Sequence, residues 1–213
     1  MKQKQCTVVA NGLFPQSERA RQYLDCGRTV ICCDGAARNL ALMGMEPNCI
    51  VGDCDSIDPE TRRRFADRIV RITEQESNDL TKCMRHAQAL GFDDVVILGA
   101  TGLREDHTLG NVSLLASYCR MFGRVAMISD FGEFHAISRT TTFETVAGQQ
   151  ISLFALPPVA ALTSHGLLYP LRRRRLMSWW EGTLNEATGS SVTIEVEGGG
   201  DVMVYLLHAG SRH

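Results

Sequence analysis

The first 134 residues of the chain alternate between short apolar runs and amphipathic stretches. Strand-like runs cover residues 5–10, 29–33, 49–51, 69–72, 95–98 and 125–128. Helical patterns cover residues 16–26, 36–43, 79–90 and 106–122. This alternation predicts a parallel sheet with helices on both faces. Several of the strand-like runs are nearly all apolar, which is typical of strands that are covered on both sides.

The character of the chain changes near Glu133, and from Thr140 onward the segments are typical of short antiparallel strands. Residues 146–149 and 197–201 are predicted turns, and residues 191–197 and 201–207 are predicted to pair as a hairpin. We therefore expect a Rossmann-like α/β domain over residues 1–134. A small all-β, antiparallel sandwich-like domain is expected over residues 135–213.

Composition narrows the function classes. The formal net charge of −2 argues against a globally nucleic-acid-binding protein. No apolar run is long enough to cross a bilayer, so no membrane partner is expected. The eight cysteines are scattered and form no CxxC pair, which disfavours a zinc site and favours buried thiols in a reducing compartment. A cytoplasmic location is expected on these grounds.

Two aspartates, Asp53 and Asp55, directly follow the apolar run at residues 48–51. Because side chains two apart in a strand point the same way, both carboxylates can converge on one point. Carboxylates held together resist joint ionisation, and a divalent cation such as Mg²⁺ relieves that repulsion. The alternative is a polar turn, in which Gly, Asp and Ser serve only the backbone.

Further polar clusters follow other predicted strands. Asn11 follows the first, Asp34 and Gly35 follow the second, and a segment with Gly102 and Arg104 follows a later one. In an open α/β sheet, ligands bind beyond the carboxyl ends of the strands. Carboxylates for a metal, together with glycine amides and a guanidinium for phosphates, predict a cleft for Mg²⁺ and a nucleotide.

The helix predicted from Asp79 carries a lysine, Lys82, in its first turn. A cation there faces the positive end of the helix dipole, and a bound polyphosphate would offset that cost. A salt bridge to Glu76 or Asp79 is the alternative. At the next helix, His107 and Asn111 share a face and are predicted to be a core-facing, hydrogen-bonded pair.

These segments together resemble the thiamine pyrophosphokinase family. The similarity runs in order through residues 34–37, 52–56, 75–82 and 99–107 with Asn111, and more loosely through 166–171 and 182–186. The chain departs from the family pattern at Ala36 and Leu103, where the family usually has glycine. Ala36 and Leu103 therefore carry side chains at positions where the backbone is expected to lie close to phosphate.

The resemblance implies transfer of a pyrophosphoryl group from ATP to the hydroxyl of thiamine, with release of AMP. Asp53, Asp55 and Asp79 are then the expected Mg²⁺ ligands, and Lys82 and Arg104 the expected phosphate ligands. No general base is assigned. The remaining residues expected to line the nucleotide and metal cleft are Asn11, Asp34, Gly35, Gln75, Gly102, Asp106 and His107.

Thiamine carries a permanent cation and two flat rings, which suit an aromatic face. Tyr169 is the candidate, with Ser164 and Asn185 as expected hydrogen-bonding partners for the aminopyrimidine; a core position for Tyr169 is the alternative. The resemblance also implies a homodimer whose sites join residues 1–134 of one subunit to 135–213, the thiamine-binding and dimerisation domain, of the other.

Some alternatives stay open at this point. A diphosphokinase of the same fold acting on another heteroaromatic alcohol, such as a pterin, shares the nucleotide half of the site. A non-catalytic nucleotide or thiamine-phosphate sensor is the other alternative. The arginine run at residues 172–175 is predicted to be a solvated strand edge, with phosphate binding as the alternative.

Overall fold

The structure is a computed structural model that describes residues 3–156 and 161–210. The chain divides after Asp130 into two compact units, Met1–Asp130 and Phe131–His213. The boundary predicted at residue 134 lies inside a strand, Gly132–Ile137, that pairs within the second unit. Each unit is described by itself below.

The first unit is a parallel sheet with helices between its strands. Its strands are β1 (Gln5–Val9), β2 (Thr29–Cys33), β3 (Cys49–Gly52), β4 (Ile69–Arg71), β5 (Asp94–Leu98) and β6 (Arg124–Ile128). Their order is β6-β5-β1-β2-β3-β4, and every pair is parallel. The helices are α1 (Glu18–Asp25), α2 (Ala36–Leu42), α3 (Pro59–Arg64), α4 (Asp79–Ala89) and α5 (Glu105–Tyr118). The predicted α/β class is confirmed.

The core of this unit explains why the strands are apolar throughout. Val8 pairs with Ile31 on one side and Ile97 on the other, and all three are fully buried. Burial of such side chains contributes about 1.5–3 kcal/mol each, which stabilises the centre of the sheet. The polar segments at the carboxyl ends of the strands are thereby held on a rigid support.

One helix of the first unit was absent from the sequence prediction. Helix α3 begins after Asp58, whose carboxylate accepts hydrogen bonds from the amides of Glu60 and Thr61, with Pro59 at its first position. This is a standard start signal for a helix. Its six residues include three consecutive arginines and give almost no apolar periodicity, so the pattern did not reveal it.

The second unit is an antiparallel sandwich. Its strands are β7 (Gly132–Ile137), β8 (Thr141–Glu144), β9 (Gln150–Leu156), β10 (Ala161–His165), β11 (Arg174–Arg175), β12 (Asn185–Glu186), β13 (Ser191–Glu197) and β14 (Asp201–Leu207). One sheet has the order β12-β9-β14-β7 and the other β11-β10-β13-β8. A shared apolar core includes Leu153, Leu162, Ile194 and Val204. The predicted all-β class is confirmed, and β11 is an edge strand of exposed arginines.

The predicted hairpin between residues 191–197 and 201–207 is wrong. Both strands form with the predicted bounds, but β13 pairs with β8 and β10, whereas β14 pairs with β7 and β9. The connection runs through Gly198, Gly199 and Gly200, which all have positive φ. Consecutive glycines let the chain pass from one sheet to the other, since no Cβ restricts them. No helix in the described part of the chain is long and apolar enough to cross a membrane.

Candidate active site

The carboxyl ends of the parallel strands surround a cleft of about 330 Å³ in the first unit. Segments that are far apart in sequence meet there because the strands are parallel and in register. The side chains that line the cleft include Asn11, Asp34, Asp79, Arg104, His107 and Asn111. The structure therefore brings five of the predicted nucleotide and metal residues to this cleft, namely Asn11, Asp34, Asp79, Arg104 and His107.

Closely packed glycine backbone lies at and beside this cleft, which Gly12 lines. The amide of Gly12 donates to the carbonyl oxygen of Gly99 over 2.7 Å, and a Cβ on Gly12 would lie 2.4 Å from that oxygen. Gly102 has a φ of +92°, and a Cβ there would lie 2.7 Å from the Cβ of Leu13. Neither position accepts a side chain. Leu103 is 62% exposed and lines the cleft.

Three carboxylates form a cluster at the strand ends. Asp34, Asp53 and Asp55 each place a carboxylate oxygen within 4.8 Å of the others. Asp34 is 2% exposed, and its Oδ2 accepts hydrogen bonds from the amide and hydroxyl of Ser56 at 3.1 and 2.8 Å. Its Oδ1 is buried and has no hydrogen-bond partner among the described residues. An orphaned carboxylate oxygen beside two further carboxylates fits a divalent cation such as Mg²⁺.

The electrostatics of the cluster agree with this fit. The charge of Asp53 raises the pKa of Asp55, and a hydrogen bond from Gln75 over 3.0 Å lowers the pKa of Asp53. Between them, Cys54 has a φ of 69°, and its carbonyl oxygen accepts a hydrogen bond from the guanidinium of Arg62. The loop thus holds like charges close together, which a bound cation would relieve.

The structure groups Asp34, not Asp79, with Asp53 and Asp55. The carboxylate of Asp79 accepts a hydrogen bond from Lys82 Nζ at 3.0 Å, and the same Nζ lies 4.0 Å from Asp53 Oδ2. Lys82 is 2% exposed. Burial lowers its pKa, but the hydrogen bond and charge of Asp79 and the charge of Asp53 outweigh this and leave that pKa raised. The salt-bridge alternative for Lys82 is therefore present in the structure.

The start of α5 differs from the prediction in one respect. The guanidinium of Arg104 pairs with the carboxylate of Asp106, and both are exposed. His107 is also exposed, so the predicted core-facing pair with Asn111 is wrong. Asn111 instead donates to the carbonyl of Ala100 over 2.8 Å. Arg104 and His107, at the start of this helix, both line the cleft.

Two residues of the site were missed as site residues. Ser56 holds the buried carboxylate of Asp34, and it lies in the segment of residues 52–56 that already suggested a site. Asn78 donates to Asn111 Oδ1 over 3.1 Å and lines the cleft. Its side chain also accepts from the amide of Thr81 as the N-cap of α4. The sequence signals for Asn78 were this capping role and its place in the family-like segment of residues 75–82.

The thiamine candidates lie in the second unit. Tyr169 is 66% exposed, which excludes the alternative of a core position. Asn185 is buried and hydrogen-bonds the backbone of Tyr169 through both ends of its amide. Ser164 is also buried, and its hydroxyl accepts from the amide of Leu171. These hydrogen bonds bring the candidates to one loop, although Ser164 and Asn185 are engaged with its backbone.

The parallel sheet and the cleft at its strand ends define an α/β protein whose ligands bind beyond the carboxyl ends of the strands. Residues 20–127 match the family described as thiamin pyrophosphokinase, catalytic domain. Residues 132–205 match thiamin pyrophosphokinase, substrate-binding domain. The chain belongs to the thiamin pyrophosphokinase family, and it is an enzyme of ATP-dependent thiamine pyrophosphorylation.

Individual relatives agree with the family. Thiamine pyrophosphokinase 1 of Oryza sativa subsp. japonica is 26% identical over 195 residues, which cover 77% of this chain and 72% of that protein. The crystal structure of thiamine pyrophosphokinase from Bacillus subtilis is 25% identical, with a TM-score of 0.82 over 97% of this chain and 100% of that one. The yeast enzyme is 15% identical and shares the fold, with a TM-score of 0.77 over 97% of this chain and 87% of that one.

Proposed function

We propose that this enzyme transfers the pyrophosphoryl group of ATP to the hydroxyl of thiamine in a Mg²⁺-dependent reaction that releases AMP. The observation that carries the proposal is the cluster of Asp34, Asp53 and Asp55, with its orphaned buried oxygen, at the strand ends of a family member. Neither a pterin diphosphokinase nor a non-catalytic sensor is favoured by the relatives, which are named as thiamine pyrophosphokinases.

Asp34, Asp53 and Asp55 would hold the metal, and Asp79 remains a predicted further ligand. A divalent cation bound there supplies charge neutralisation at the phosphates, an effect worth several kcal/mol. Ser56 keeps the carboxylate of Asp34 oriented through its two hydrogen bonds. Gln75 does the same for Asp53 through its hydrogen bond.

Phosphate binding is assigned to cationic and amide groups of the same cleft. Lys82 and Arg104 bind phosphate oxygens and stabilise the charge of the transition state. The pairing of each with an aspartate keeps its side chain near the cleft. The remaining cleft positions assigned to the nucleotide are Asn11, Gly35, Gly102, Asp106 and His107. Such a transfer relies on alignment and charge stabilisation by these groups.

Residues 135–213 are assigned to thiamine binding and dimerisation, and residues 1–134 to nucleotide and metal binding. The exposed ring of Tyr169 offers a face for the rings and the cation of thiamine. The functional residues are divided along the chain, which supports a homodimer whose sites draw on both subunits. A cytoplasmic location is supported by the eight cysteines, all among the described residues, because none is in a disulfide.

The experiment is an assay of the nucleotide product. AMP is expected from ATP only when Mg²⁺ and thiamine are both present, and one AMP is expected for each thiamine diphosphate. Chromatography separates AMP from ADP, and omission of each component supplies the controls. Formation of ADP would overturn the proposal. So would turnover with a pterin alcohol when thiamine gives none.

A further inference from the structure

The loop that carries Tyr169 is held at both of its ends. At the start, the carbonyl of Gly166 accepts from the amide of Thr188 over 2.8 Å. At the end, the amide of Leu171 donates to Ser164 Oγ over 2.8 Å, and its carbonyl accepts from the amide of Ser164 over 3.0 Å. The segment between them, which we call the Tyr169 loop (residues 166–171), is therefore fixed to its neighbours by backbone hydrogen bonds.

The middle of the Tyr169 loop is held by one side chain. Asn185 Oδ1 accepts from the amide of Tyr169 over 3.1 Å, and Asn185 Nδ2 donates to the carbonyl of Tyr169 over 2.7 Å. The same Oδ1 also accepts from the amide of Glu186 over 2.9 Å. Both acceptor positions of the amide oxygen are thus occupied within the protein.

Asn185 and Tyr169 differ strongly in how much of each side chain is exposed to solvent. Asn185 is 7% exposed, whereas Tyr169 is 66% exposed and the residue before it, Leu168, is 51% exposed. A side chain that is buried, with its oxygen already paired, is poorly suited to contact a substrate. A ring displayed to solvent on a fixed backbone is well suited to do so, because little ordering remains to be done on binding.

We propose that Asn185 is a positioning residue that orients Tyr169 for thiamine and does not itself contact the substrate. This inference rests on the proposed function, because it takes Tyr169 as the thiamine-binding aromatic residue. It differs from the sequence-based expectation that Asn185 hydrogen-bonds the aminopyrimidine. According to this proposal, Asn185 affects thiamine binding only by holding Tyr169 in place.

A double-mutant cycle tests whether the effect of Asn185 depends on the ring of Tyr169. Asn185→Ala removes both hydrogen bonds to the Tyr169 backbone and is expected to raise the KM for thiamine about tenfold, with kcat changed less than about twofold. In a Tyr169→Ala background, the same change is expected to alter that KM less than about twofold, since the ring it orients is gone. Full additivity of the two changes would show direct contact and overturn the proposal.

A second substitution at Asn185 and a control substitution elsewhere accompany the double-mutant cycle. Asn185→Asp keeps the acceptor for the Tyr169 amide but sets a carboxylate oxygen against the Tyr169 carbonyl oxygen, so it is expected to raise the KM for thiamine at least as much as Asn185→Ala does. Thr142→Ala, on β8, removes a hydroxyl contact to Thr193 on β13 and is expected to leave the KM unchanged. A KM for Asn185→Asp equal to that of the parent, together with additivity in the alanine cycle, would also contradict the proposal.

A second readout requires no substrate. Hydrogen exchange at the Tyr169 amide is expected to be at least about tenfold faster in Asn185→Ala than in the parent, because its acceptor is lost. An unchanged rate would overturn the positioning role. If the parent enzyme makes no AMP from ATP and thiamine, the proposed function fails. The exchange experiment uses no substrate, so it still reports whether Asn185 holds the backbone of Tyr169.

Discussion

Ser56 donates two hydrogen bonds to a single carboxylate oxygen of Asp34, one from its amide at 3.1 Å and one from its hydroxyl at 2.8 Å. The other oxygen of Asp34 is buried and without a hydrogen-bond partner among the described residues. The two hydrogen bonds from Ser56 orient the buried carboxylate of Asp34, so that Oδ2 is hydrogen-bonded and Oδ1 is available to a ligand. This is the arrangement expected of a ligand that is prepared before its cation arrives.

Ser56→Ala tests this arrangement, because it removes the hydroxyl donor and keeps the amide. The free energy of unfolding is expected to fall by about 1–2 kcal/mol, since a buried charged acceptor loses a partner. The Mg²⁺ concentration at half-maximal AMP formation is expected to rise. Chemical denaturation and a Mg²⁺ titration measure the two effects. Ser113→Ala, in which an exposed hydroxyl donates to the carbonyl of Gly110, is the control and should change neither.

Asp55→Asn tests the carboxylate cluster. The charge of Asp53 raises the pKa of Asp55, so the two charges repel in the protein without metal, and the amide removes that repulsion. The variant is expected to unfold at the same or a higher temperature than the parent in chelator. It should lose most of the Mg²⁺-induced rise in unfolding temperature and of AMP formation. A full Mg²⁺ response in the variant would return Asp55 to the role of a turn residue; Asp67→Asn is the matched control.

Lys82→Met separates phosphate binding from a counter-ion role. The change removes a buried cation beside Asp79 and Asp53, so local negative charge increases and Mg²⁺ affinity should stay equal or become tighter. AMP formation at saturating Mg²⁺ is expected to fall by about 100-fold, because a charge-stabilising donor is lost. Initial rates across a Mg²⁺ titration give both quantities. A normal rate with tighter Mg²⁺ binding would show that Lys82 is only a counter-ion.

The buried ion pair of Arg28 and Asp94 predicts how the stability of the protein depends on pH, and Asp94→Asn tests it. Arg28 Nη2 lies 2.8 Å from Asp94 Oδ1, and both side chains are buried. Burial raises the pKa of Asp94, but the hydrogen bond and charge of Arg28 outweigh it and leave that pKa lowered. The pair therefore stabilises the protein above the ordinary aspartate pKa, and this contribution is lost as pH falls from about 5 towards 3.

The asparagine variant leaves the buried guanidinium without its charged partner. At pH 7 it is expected to lose about 3 kcal/mol of stability, and the difference from the parent should shrink on acidification. Denaturant unfolding at several pH values measures this. Glu46→Gln, which removes an exposed ion pair with Arg64, is the control with a small expected effect. A difference that grows below pH 5 would contradict the assignment.

Mixed dimers test whether each site draws on two chains. If Asp55→Asn and Tyr169→Ala subunits exchange, each mixed dimer of the proposed kind has one site with both defects and one with neither. Activity at limiting thiamine should rise towards about a quarter of wild type for random mixing of inactive parents. Verified mixed dimers with only the average activity of their parents would mean that the site is built within one chain, or that Tyr169 is not part of it.

The sequence by itself determined the strands of the first unit, four of its five helices and the class of the fold. Apolar runs such as residues 29–33 and 95–98 became buried parallel strands, because an all-apolar strand is stable only when both faces are covered. The polar residues after these strands were predictable as a cleft, since parallel strands bring their carboxyl ends to one edge. The family resemblance added the substrate.

Only the tertiary structure decided which residues pair with which. The alternation in residues 191–197 and 201–207 defines a buried face for each strand but not its partners, and the two strands joined different sheets. Likewise, the order of residues left open whether Lys82 pairs with Asp79, and it did not reveal that Asp34 joins Asp53 and Asp55 or that Asn185 holds Tyr169. Local periodicity encodes the faces of strands and helices, whereas partners depend on many weak long-range contacts that are defined only once the chain is packed.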